Sequence, residues 1–230
     1  MKNLFVATGV GIAAVALSLG LVACGSSTKT EEKTSTSTES KTTTTTTPTP
    51  TTTAQASGPN KTIQDYIKEN GIQEQGLKRG DPGPTIDLPV PDGWAANDSL
   101  PEAPYGAIVY QDTAVPDNPP RVLALLSKLT GNVDPQQILT LAPGELMNLP
   151  GYDGPTEGQR DTLGGYDAVQ LGGTYDTGTK KGMIAQKTVV IPGGEGAVYV
   201  LQLNAYADDS ETGILADATN VIDEKTTITP

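Results

Sequence analysis

The sequence predicts an α+β fold, a twisted antiparallel sheet flanked by helices, in a domain spanning residues 58–230. Three observations carry this. Apolar residues recur at helical spacing in three separate stretches, near 62–70, 134–142 and 209–224. Between them lie runs rich in Val, Ile, Leu and Tyr. The later runs are joined by short glycine-rich turns, which suit antiparallel hairpins and are too brief for parallel crossovers. Helices and strands that come in blocks in this way form a sandwich of sheet and helices.

The elements follow in order. Thr62 to Asn70 reads as the first helix, with Thr62 as its cap and Ile63, Tyr66 and Ile67 as its apolar stripe. Gly71 ends it with a left-handed cap. A turn at Gly80-Asp81-Pro82-Gly83 leads to a strand, Thr85 to Val90, which Pro89 places at an edge or at its own end. Tyr105 to Tyr110 and Arg121 to Ser127 are the next strands. The second is apolar on both faces, so it is expected at the centre of the sheet.

Asp134 caps a second helix with Pro135 at its first position, and Gln137 completes a capping-box pattern. Ile138, Leu139 and Leu141 form its buried side. Pro143-Gly144 breaks it, and Glu145-Leu146-Met147 adds one further turn. Three strands follow, Tyr166–Leu171, Met183–Ile191 and Ala197–Asn204. The last helix runs from about Asp209 to Glu224. Its apolar side is Ile214, Leu215, Ala218, Val221 and Ile222, and Asp208, Asp209 and Ser210 offer caps. Thr226 to Thr229 closes the chain as a short edge strand.

The N-terminus carries an address. Lys2 precedes an apolar run from Leu4 to Val22, as in a secretory signal peptide, residues 1–23. The run ends in Leu21-Val22-Ala23-Cys24-Gly25, the pattern at which bacterial lipoproteins receive diacylglycerol on the cysteine. Cys24 is the only cysteine of the chain, and lipidation disposes of an otherwise stray thiol. The expected location is the cell membrane, lipid-anchored on its extracytoplasmic face. More than one acyl chain, palmitate among them, gives lasting attachment. Residues 24–57 hold Cys24 and a Thr/Pro-rich stalk with almost nothing apolar to bury, so no core is expected there. Such tracts are extended and are common O-glycosylation substrates. Fully extended, the stalk reaches on the order of 100 Å.

Charge and composition exclude whole classes of function. The chain has a net charge of −12, and residues 58–230 hold 11 Lys and Arg against 24 Asp and Glu. So acidic a domain is repelled by phosphate backbones, and nucleic acid is not an expected partner. The chain has no histidine, which removes Ser-His, Cys-His and His-metal mechanisms. No catalytic residue, metal site or cofactor is therefore expected. The acidic pair Asp208-Asp209 reads as helix capping. Residues 173–180, GTYDTGTK, resemble a phosphate loop only loosely and read as a hairpin turn. The Asn60-Lys61-Thr62 and Asn97-Asp98-Ser99 triplets read as chance glycosylation patterns.

Residues of three kinds are candidates for meeting a ligand. Gln170, Gln186, Gln202 and Asn204 are polar on otherwise apolar strands; they hydrogen-bond a sugar, face solvent or meet a buried polar group. Trp94 stacks on a sugar ring or packs over the sheet edge, and Tyr105 and Tyr110 are candidates by strand position and residue type. Met147 and Met183 line an adaptable lipid pocket or fill gaps in the core.

Six stretches resemble the mycobacterial LpqN/LpqT lipoprotein family, nearest its LpqN branch. They are 62–70 TIQDYIKEN, 84–94 PTIDLPVPDGW, 126–135 LSKLTGNVDP, 142–151 APGELMNLPG, 185–192 AQKTVVIP and 220–230 NVIDEKTTITP. The resemblance implies a PsbP/Mog1-like sandwich, in agreement with the elements above. It implies a non-enzymatic role in the mycobacterial envelope: binding or carrying an amphiphilic envelope glycolipid of the trehalose-mycolate type. RND-type lipid exporters and mycolyltransferases are the implied protein partners. A second reading makes the domain an adaptor for those proteins with no ligand of its own. A carrier needs an apolar groove between the sheet and a helix, with polar groups at its mouth.

Overall fold

The computed structural model describes residues 58–230. The signal peptide, Cys24 and the stalk lie outside the described residues. Helix α1 spans Ile63–Glu69 and starts in a reciprocal capping box. The Thr62 hydroxyl accepts from the Asp65 N–H at 3.2 Å, and the Asp65 carboxylate accepts from the Thr62 N–H at 2.9 Å. Gly71, at φ +61°, ends the turn that follows. Strand β1, Gln73–Leu77, comes next and was not expected.

Strand β2 covers only Thr85–Asp87 and pairs with β10, Thr227–Thr229, as a separate two-stranded ribbon. The expected extension to Val90 stops because Pro89 and Pro91 have no N–H to donate. Strands β3 (Trp94–Ala96), β4 (Gly106–Tyr110), β5 (Arg121–Thr130), β6 (Gln159–Leu163), β7 (Tyr166–Asp176), β8 (Lys181–Pro192) and β9 (Val198–Asp208) build the main sheet with β1. Its order is β3-β4-β5-β9-β8-β7-β6, with β1 also on β5, and every pairing is antiparallel. The apolar strand β5 is central, as its two buried faces require.

Between β5 and β6 lie α2, Pro135–Leu141, and α3, Pro143–Met147. The Asp134 side chain accepts from the Gln136 N–H at 2.8 Å, so the cap is a single bond and not the expected box with Gln137. Pro143 ends one helix by beginning the next, where its missing N–H costs nothing. The β6–β7 hairpin turns on Gly164 and Gly165, both at positive φ, +57° and +86°. Such a two-residue turn matches the twist of its strands and calls for glycine. Strand β7 runs five residues further than expected, and the turn of 173–180 narrows to Thr177–Lys180. It is a hairpin turn, with no helix after it. The final helix opens with a tight 3-10 turn at Asp209–Glu211, capped by Asp208, before α4, Thr212–Lys225.

The sheet is covered on both faces. One face packs Leu129, Val190 and Val200 against Ile63 and Ile67 of α1 and Ile138 and Leu139 of α2. The other packs Val122, Val189, Leu201 and Leu203 against Leu215, Ala218 and Ile222 of α4, with Ile86 and Ile228 of the ribbon. Alternation along the strands separates the two sets, so neighbouring residues serve different layers.

Candidate functional site

A cavity of about 340 Å³ opens between α4 and the sheet. Its floor follows from pairing register. One row across the strands reads Gly172 (β7), Ala185 (β8), Ala205 (β9), Val122 (β5). These are small side chains under a helix, and an α-helix cannot sink far enough to replace the missing volume. Leu203 and Ile222 complete the apolar lining. The adjacent row is polar: Gln159 (β6), Gln170 (β7) and Lys187 (β8) stand side by side. The rim adds Pro155 and Glu157 before β6, and Thr219, Asn220 and Asp223 from α4. The site is thus apolar at one end and hydrogen-bonding at the other.

Lys187 is the unusual group. Only 6% of the residue is exposed, yet it projects among apolar neighbours on the α4 face. Its ammonium donates to the Asp161 carboxylate of β6 and pairs with the Asp223 carboxylate of α4, both at 2.7 Å. A buried charge survives only when paired in this way. The Lys187 hydrogen bond, followed by one from the Thr162 backbone, holds the Asp161 carboxyl below its ordinary value. The three residues tie the two walls of the cavity together across its floor.

The opposite face carries a different polar group. Glu145, at 5% exposure, reaches from α3 to the middle of the sheet. Its carboxylate accepts from the side-chain amides of Gln186 at 2.9 Å and Gln202 at 2.6 Å, and the Gln186 amide also donates to Asn204 at 3.0 Å. Tyr206 lies in the same layer; burial raises its hydroxyl above the ordinary value, with Tyr175 adding to the shift.

The residues expected to meet a ligand divide between these layers. Gln170 lines the cavity with its side chain on the α4 face, and Gln186 borders it from β8 while its amide turns away to Glu145. Gln202 and Asn204 join Gln186 in the rear cluster. Met147 is half-buried on α3, on that same side. Trp94 and Tyr110 pack on each other with ring centroids 5.7 Å apart at the β3–β4 edge. Tyr105 is buried, and its hydroxyl accepts from the Ile86 N–H and donates to the Pro84 carbonyl, which fixes the ribbon. Met183 packs in the α4-side core. None of Trp94, Tyr105, Tyr110, Met147, Met183, Gln202 and Asn204 lines the cavity. Sequence reasoning missed Lys187, Ala185, Leu203, Asn220 and Asp223. A signal was present: Lys187 shares its strand parity with Ala185, Val189 and Ile191, so it had to point at the same buried layer.

Comparison with known proteins gives consistent results. The family model described as "Probable lipoprotein LpqN" matches residues 59–229. The curated Lipoprotein LpqN of Mycobacterium tuberculosis (strain ATCC 25618 / H37Rv) is 59% identical over 177 residues, covering 76% of this chain and 77% of that one. A crystal structure of LpqN, described as involved in cell envelope biogenesis of Mycobacterium tuberculosis, is similar at a TM-score of 0.73 and 59% identity. The match covers 75% of this chain and 100% of the solved one.

Proposed function

Because the chain belongs to the LpqN lipoprotein family, we propose that its domain serves cell envelope biogenesis as a non-enzymatic carrier of an amphiphilic glycolipid of the trehalose-mycolate type. The observation that carries this reading is the cavity under α4, with an apolar row beside a row of hydrogen-bonding side chains. A sugar head satisfies its hydroxyls on Gln159, Gln170 and Asn220, and the start of an acyl chain covers Ala185, Leu203 and Ala205. The volume lies at the low end for small-molecule sites, which run to ~1,000 Å³. The remainder of a long acyl chain therefore stays outside. In this reading, lipid on Cys24 holds the domain on the extracytoplasmic face of the membrane. Lipid exporters and mycolyltransferases give and receive the cargo. An adaptor without a ligand would leave the open, two-character cavity without a use.

The test is native mass spectrometry of the unacylated chain from Cys24 to Pro230 with a trehalose monoester. Free trehalose and a phospholipid serve as controls. The expected result is a one-to-one adduct with the monoester alone, lost in Ala185→Phe, which fills the floor. Absence of the adduct across a wide concentration range overturns the carrier reading.

A further inference from the structure

A lysine in a ligand cavity usually suggests an anionic ligand. Here its charge is already committed. Among the described residues Lys187 is the only cation lining the cavity, and it is held by two carboxylates at 2.7 Å each. Asp223 itself lines the cavity, and Glu157 adds a third carboxylate at the rim. With Asp161 the group holds one positive charge against three negative ones. The cavity lies under the last turns of α4, whose C-terminal carbonyls add partial negative charge. Arg160, next to Asp161, does not relieve this. It points to the other face and donates to Gln136 and Thr140 of α2.

We infer that this cavity selects ligands with an uncharged polar head and rejects anionic lipids, and that the carboxylates gathered around Lys187 are the specificity-determining groups. The inference deepens the carrier reading and rests on it. A phosphate head reaching Gln170 meets a net negative site in a half-enclosed space, where charges are poorly screened. It also has to compete with two carboxylates for one ammonium. A neutral polyol meets no such barrier. Its hydroxyls both donate and accept, so they bond to the free lone pairs of Asp223 and to the amides of Gln159 and Gln170. Rejection by unfavourable charge is a common source of lipid and protein specificity.

The experiment uses two amphiphiles with the same twelve-carbon chain, an uncharged alkyl glycoside and dodecyl phosphate, titrated against the unacylated chain from Cys24 to Pro230. The glycoside is expected to bind about tenfold more tightly or better, and added salt is expected to narrow the gap. Glu157→Gln, on the exposed rim and outside the ion-paired set, is expected to narrow it to about half on a logarithmic scale. Asp223→Asn is expected to narrow it further, with circular dichroism confirming the fold. Dodecyl phosphate binding within threefold of the glycoside overturns the inference and leaves the carrier reading standing. Failure of both amphiphiles to bind overturns the carrier reading as well.

Discussion

At the scale of single residues, burial decides what each polar side chain does. Asp208 caps the turn into α4. Bonds from the Ser210 hydroxyl, from Lys180 and from the Ser210 backbone, in that order, lower its pKa to about 2 from an ordinary 3.8. A carboxylate depressed in the folded state stabilises the fold above pH 4, and that contribution disappears as pH falls from about 4 to about 2. Asp208→Asn is therefore expected to flatten the acid limb of a melting-temperature profile over that window and to leave its shape above pH 5 unchanged. Glu145→Ala removes the acceptor of two amides, one of them buried and the other half-buried. Urea unfolding is expected to show a loss of about 2–4 kcal/mol. These roles were unevenly legible in the sequence. The cap at Asp208 was readable, because helix starts are local. The shared partner of Gln186 and Gln202 was not. Glu145 lies about 40 residues or more away in sequence, inside a Pro-Gly break.

At the scale of elements, the strongly patterned segments were readable: α1, β4, β5, α2, β8, β9 and α4 all announce themselves by spacing or apolar content. Strands β1, β3 and β6 did not. Gln73–Leu77 is a half-buried and Gln159–Leu163 a mainly exposed strand of mostly polar residues, and β3 has three residues. Such strands exist because a neighbour offers free backbone groups, and no local preference records that. Two predictions belong here. An added methyl at Gly144 would strike the Lys61 carbonyl oxygen, so Gly144→Ala is expected to cost about 1–3 kcal/mol in urea melts by pushing α1 from α3. Asp161→Asn and Asp223→Asn each leave Lys187 one carboxylate. Together they strand a buried ammonium, at a cost of about 3–5 kcal/mol. A double-mutant cycle is expected to show a loss well beyond the sum of the single variants, and additive losses would refute the shared role of Lys187.

At the scale of the whole molecule, the two helical layers have different duties. The face under α1, α2 and α3 holds the Glu145 amide cluster and, beside the start of α2, a hollow of about 370 Å³ lined by Pro135, Tyr166, Val190 and Val198. The face under α4 keeps a space beside a row of glycine and alanine. The class of fold could be read from the chain because it depends on the order of elements. The cavity could not, since it depends on three strands aligning Gly172, Ala185 and Ala205 in one register. Ligand that binds only the folded chain raises its stability by about 2.7 kcal/mol at a hundredfold excess over Kd. A trehalose monoester is thus expected to raise the melting temperature of the unmodified chain and leave that of Ala185→Phe in place, as differential scanning fluorimetry can show.

The start of the described chain has a mechanical consequence. Asn60 is fastened to Asn148 of the α3 end by three hydrogen bonds, and the Thr62 capping box locks the turn behind it. This fastening lies across the sheet from the cavity. A pull applied to the backbone at Gly58 is taken up by α1 and α3 and spreads into the middle of the sheet through Glu145. The pull thus reaches the sheet on the face opposite α4. Tension on the N-terminal end of the domain enters on that face first, and in the carrier reading the ligand lies on the other.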